Sequence, residues 1–167
     1  MPAADSSSFA AVNRENRRPL RRWERALGYG LLGWAAEVAF TGVHDAVDPR
    51  SRSWRLQGHS YLWMLPIYGL IAVLYEPVHD RVRERPAWQR GSAYAAGFLA
   101  CELATGSAIR RAVGLVPWDY TGRTRFAVGH GAMRLDYAPL WAAAGLLLER
   151  VDDSLRALRV RAVRGAA

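Results

Sequence analysis

Residues 26–43 read ALGYGLLGWAAEVAFTGV, eighteen positions in which Glu37 is the only charge. Such a stretch is too long for an ordinary strand, lacks strict alternation, and is rich in Ala, Leu and Gly, so it reads as a helix. Its length falls within the roughly 17 to 25 residues needed to cross a bilayer. Two more stretches share this character: 61–78, whose one charge is Glu76, and 91–109, whose one charge is Glu102. A fourth, 137–148, is shorter and becomes span-length only as 135–150, by including Asp136 and Glu149. A soluble bundle would show polar residues at each helical turn, and these stretches do not.

The expected fold class is therefore all-α, a polytopic membrane protein of four antiparallel transmembrane helices at 26–43, 61–78, 91–109 and 135–150, with a long structured outer loop. This membrane domain covers 23–150. A basic disordered tail, 1–22, precedes it, and a basic amphipathic tail, 151–167, follows, with Val151, Leu155 and Leu158 at helical spacing to lie on anionic lipid. The Arg-rich lead of 25 residues favours an uncleaved first span over a signal peptide.

Charge supports the same frame. Net charge is +8 and mean hydropathy −0.10, averaging basic flanks with nearly charge-free interior stretches. Every one of the 23 basic residues is Arg, and the tails with the 79–90 loop hold fifteen of them against eight in 44–60 and 110–136. Positive residues stay on the cytoplasmic side, so both termini are expected on the cytoplasmic face of the cell membrane. Basic residues that flank apolar stretches point to membrane lipid, anionic headgroups included, and away from nucleic acid.

The same composition excludes several chemistries. Without Lys there is no P-loop and no Schiff base, so any ATP hydrolysis would need a partner ATPase subunit. The lone Cys101 can build neither an internal disulfide nor a cysteine metal cluster.

Four of the seven Glu residues fall one per stretch, and a carboxylate at bilayer depth is costly enough to be a functional candidate. Counting along the helices sets Glu37 and Glu102 at one level, about 16 Å from the inner face. They are expected to face each other, or a common Arg or His, as a polar intramembrane site with Thr105 and Gly106. Glu76 and Glu149 are expected to form a lower, partly hydrated inner layer. Gly33, Ala72, Gly106 and Gly145 lie beside these Glu residues, and small side chains let helices approach closely. Glu76 and His79 make one Glu-x-x-His, but a second is missing and Pro77 disturbs the turn, so no metal and no cofactor are expected.

The loop 110–136 contains Pro117, Trp118, Asp119, Tyr120, Thr121 and Gly122, a turn with aromatic anchors, and is rooted by Arg110, Arg111, Arg134 and Asp136. Gly33-Trp34-Ala35-Ala36-Glu37, Ile67-Tyr68-Gly69, Glu102-Leu103-Ala104-Thr105-Gly106, Pro117-Trp118-Asp119-Tyr120 and the block from Arg134 to Trp141 stand in order along the chain. Together they resemble the ABC-transporter type IV family of permease-like proteins, which includes the transmembrane protein 229 group. The resemblance covers about residues 25 to 150. It implies a small multi-pass membrane protein and brings no catalytic residues.

The expected function is thus binding or passage of a lipid or polar solute, as a homo-oligomer or with a partner membrane or ATPase subunit. A non-catalytic scaffold is the alternative. A membrane-embedded enzyme using a carboxylate and His59 or His130 as acid and base ranks last, since no nucleophile, oxyanion-hole signature or metal triad is visible.

Overall fold

The computed structural model describes residues 17–49 and 53–162. The chain is mostly helical. A short strand β1 (Arg17–Pro19) leads into α1 (Arg22–Val47); α2 (Met64–Gly69) and α3 (Ile71–Val82) follow, then α4 (Ala87–Val113). A hairpin of β2 (Ala127–Val128) and β3 (Met133–Arg134) precedes α5 (Ala138–Ala157) and a last strand, β4 (Arg159–Arg161).

Local chemistry explains where each helix stops. The Glu24 carboxylate accepts the Arg21 backbone N–H at 2.6 Å, satisfying one orphan donor at the start of α1. Pro86 precedes α4, and Gly114, at φ +82°, ends it in the left-handed conformation that glycine adopts without strain. Pro139 sits in the first turn of α5, where its missing N–H costs nothing.

The expected span at 61–78 is corrected. It begins only at Met64 and divides at Leu70, whose N–H is shared between the carbonyls of Pro66 and Ile67. Pro77 lies inside α3 and has no N–H to give. Of the four expected spans, α1 alone among the described residues is both long and apolar enough to cross a membrane by length and composition. α4 has the length, but Gly, Ser, Thr and Tyr dilute its hydropathy. α5 carries Glu149, Arg150, Asp152, Asp153 and Arg156 in its second half.

Both tail assignments change too. Residues 17–19 of the expected disordered tail pair antiparallel with 159–161, Arg18 opposite Val160. The expected amphipathic C-terminal segment is the end of α5 followed by this strand, and Leu155 is buried against Tyr29 and Ala72. Residues 1–16 and 163–167 of those tails lie outside the described residues. The β1–β4 clip brings the two ends of the described chain to one end of the bundle.

α1 packs on α2 and α3, and α4 on α3 and α5. Small residues mark the contacts, as their spacing predicts: Gly33 lies against the Tyr68 ring, Gly145 against Tyr94, and Gly106 against Ala132 and Trp118. At the loop end Ile109, Val116, Trp118 and Ala132 form a buried cluster, capped by the indole N–H of Trp118 donating to the Ala132 carbonyl at 2.9 Å.

Candidate functional site

The outer glutamates open onto one cavity. Between the helices lies a half-open cavity of about 700 Å³ whose lining is mostly apolar. It runs from His44 and Arg123 near the loops down to Tyr75, Tyr94 and Leu148. Glu37 and Glu102 both line it, as do Thr105, Trp118, Tyr120 and Arg134.

The two carboxylates share this space but hold separate partners, so of the two expected arrangements the common Arg or His is not found among the described residues. Glu37 accepts hydrogen bonds from Ser60 Oγ and Tyr68 OH, both at 3.0 Å. The chain after α1 folds back to supply Ser60: Thr41 Oγ1 bonds the His59 N–H and carbonyl, each at 2.8 Å, and Gly58 lies against the Val38 carbonyl. Glu102 accepts from Tyr120 OH at 3.2 Å and from the Trp141 indole N–H at 3.3 Å. No ion pair to either carboxylate occurs among the described residues. Thr105 gives its hydroxyl proton to the Cys101 carbonyl at 2.7 Å, and Gly106 serves packing.

The outer loop is a structured cap. α4 extends through Arg110 and Arg111, so the loop is shorter than expected. Asp119 Oδ1 accepts the Thr121 N–H at 2.8 Å, a turn whose hydrogen bonds hold this carboxyl below the usual carboxylate range. Tyr120 N–H reaches the Gly131 carbonyl at 3.0 Å, and Gly131, at φ +81°, lies so close to Asp119 and Thr121 that a side chain there would collide with both. Arg134 forms two bonds to Asp136, at 3.0 and 2.6 Å, and its guanidinium lies 4.0 Å from the Tyr137 ring centre.

The inner layer is drier and larger than the sequence reading allowed. Glu76, expected to be partly hydrated, is 2% exposed and accepts two bonds from Arg25, both at 2.7 Å. Glu149 accepts from Arg90 at 2.7 Å and from Tyr94 OH at 2.9 Å. Asp152, fully buried, accepts from Tyr29 OH at 2.5 Å and from Arg156 Nε at 2.9 Å. Tyr75 OH donates to the Gly145 carbonyl, and the Tyr75 ring stacks on His79.

Tyr29, Tyr75, Tyr94, Arg25, Asp152 and Arg156 are absent from the sequence-derived site. A signal was present for the tyrosines: each stands three residues from the inner end of its apolar stretch, so the three share one level. No family model matches this chain, and no solved structure matches it.

Proposed function

We propose that the chain is a small multi-pass integral membrane protein, permease-like in the manner of the ABC-transporter type IV family, whose central cavity binds or passes an amphiphile. Its cargo is a lipid, or a polar solute with an apolar part. Both termini lie in the cytoplasm, in keeping with the arginine asymmetry and the β1–β4 clip.

The observation that carries this reading is the cavity itself. It offers about 700 Å³ of mainly apolar lining and two carboxylates whose partners are hydroxyl and indole groups. An apolar pocket with a few convergent polar groups is the usual form of a small-ligand site. The surface supports membrane embedding, since large apolar side chains outside the cavity, such as Leu27, Leu31, Leu32, Val43, Val73 and Leu147, are exposed. A soluble monomer rarely leaves so much apolar surface in water.

The test compares Glu37→Gln and Glu102→Gln with wild type in detergent, by thermal unfolding and by binding of a fluorescent phospholipid and a fluorescent fatty acid. Gln keeps the size and hydrogen-bonding capacity and removes the charge. Intact folding with binding weakened at least tenfold in both variants supports the proposal. Unchanged binding in both folded variants leaves the scaffold and removes the ligand site.

A further inference from the structure

Two buried polar atoms of the inner layer face each other without a hydrogen-bond partner among the described residues: His79 Nε2 and Asp152 Oδ2, 3.8 Å apart. His79 is 4% exposed and Asp152 0%. Their other atoms are engaged. Asp152 Oδ1 takes the bonds from Tyr29 and Arg156, and His79 Nδ1 lies 2.8 Å from Tyr94 OH.

The Tyr94 bond fixes the tautomer of His79. Tyr94 has one hydroxyl proton and gives it to Glu149, so in the bond with His79 the proton comes from Nδ1. A neutral imidazole then presents a lone pair at Nε2, aimed at a carboxylate oxygen that is also an acceptor. Two acceptors held face to face in a buried place call for a cation between them.

Distance selects the cation. A direct N–H···O bond spans about 2.7 to 3.2 Å, and a bridging water with legs of about 2.8 Å holds its partners roughly 4.5 Å apart. A divalent ion with legs of about 2.1 Å spans up to about 4.2 Å and meets 3.8 Å at a bond angle of about 130°. Asp153 is placed to be drawn in as a third ligand, since one donor atom each from its carboxylate, His79 and Asp152 lie within 4.8 Å of one another. Asp153 is exposed, which gives an ion its way in.

The surrounding charge agrees. Glu76, Asp80, Glu149, Asp152 and Asp153 outnumber Arg25, Arg90 and Arg156, the guanidinium groups paired with them, by two. A metal-bound His commonly donates its second ring N–H to a fixed partner, as Nδ1 does here to Tyr94. One imidazole and two carboxylates suit Zn²⁺ or Mn²⁺ better than Mg²⁺ or Ca²⁺, which take oxygen ligands, or Cu⁺, which prefers sulfur.

We propose that His79, Asp152 and Asp153 bind one divalent transition-metal ion at the inner end of the bundle, beyond Tyr75 and Tyr94 at the floor of the cavity. The purified full-length chain, stripped with chelator, would be titrated with Zn²⁺ by calorimetry and melted with and without the ion. One Zn²⁺ per chain and a metal-dependent rise in Tm are expected. Asp153→Asn, which alters an exposed residue and leaves the buried network whole, should weaken binding at least about tenfold. His79→Gln and Asp152→Asn should abolish it, while His44→Gln and His130→Gln should bind as wild type. Absence of saturable Zn²⁺ binding overturns the site, as does undiminished binding in Asp153→Asn or in folded His79→Gln. A proton shared by His79 and Asp152 in place of a metal would appear as the first of these results.

Discussion

The two glutamate layers hold the same residue type, Glu76 on α3 and Glu149 on α5 against Glu37 on α1 and Glu102 on α4, yet their surroundings differ. Glu76 and Glu149 are matched by Arg25 and Arg90 at 2.7 Å, with Arg156 joining Asp152, Asp80 and Glu76. Glu37 and Glu102 meet a serine, two tyrosines and a tryptophan at 3.0 to 3.3 Å and open on a cavity. Charge that is closed on arginine clasps helices together, whereas charge left facing open space is available to a ligand. The inner layer is accordingly a clasp, with the His79–Asp152 gap inside it, and the outer layer lines the cavity proposed to bind a ligand.

The largest expected effect breaks the clasp. Arg25→Ala leaves Glu76 buried with only Arg156, at 3.7 Å, to oppose its charge, and should cost about 3 to 5 kcal/mol. Chemical denaturation in micelles measures it. Glu102→Gln, a neutral exchange in the outer layer, should stay within about 1 kcal/mol of wild type. Equal losses in the two variants would erase the distinction between the layers.

A smaller change sharpens the contrast from the cavity side. Gly97 lines the cavity, and a Cβ added there meets nothing within 4 Å. Gly97→Leu should therefore raise stability by about 0.5 to 1 kcal/mol through helix propensity while blocking the cavity to the fluorescent lipid. Full binding by this variant would place the ligand elsewhere.

The smallest effect belongs to the clip beneath the clasp. Hydrogen bonds from Arg18, then from the Arg21 N–H, hold the Glu24 carboxyl down at about 2. A depressed folded value means that this stabilisation is complete above the ordinary Glu range, near pH 4.5, and is lost as pH falls through about 2. Arg18→Ala should lower Tm slightly at pH 7, with the difference from wild type shrinking as the pH is taken from 4.5 toward 2. A pH-independent difference would mean that Arg18 acts through the strand and not through Glu24.

Much of the helical layout is legible in the sequence, because apolar length is a local property. The cores of α1 and α4 coincide with 26–43 and 91–109, and the beside-glutamate spacing of Gly33, Gly106 and Gly145 foretells their close contacts. The break at Leu70 is harder to read, since Pro66, Gly69 and Pro77 each weaken a helix without stating which turn yields. The hairpin at 127–134 and the β1–β4 pairing rest on residues distant from each other or on left-handed turns at Gly129 and Gly131, and no apolar period announces either.

The sequence alone determined that each apolar stretch carries one glutamate and that, with no Lys in the chain, arginine is the main cation available to answer them. Which glutamate an arginine reaches was decided by the tertiary fold, because that depends on the rotation of each helix about its axis and on its tilt against its neighbours. Asp152 shows the reason most plainly. In sequence it is one acid in a charged helical end; packed against Tyr29, His79 and Arg156 it becomes a fully buried carboxylate with one oxygen satisfied and the other waiting across 3.8 Å.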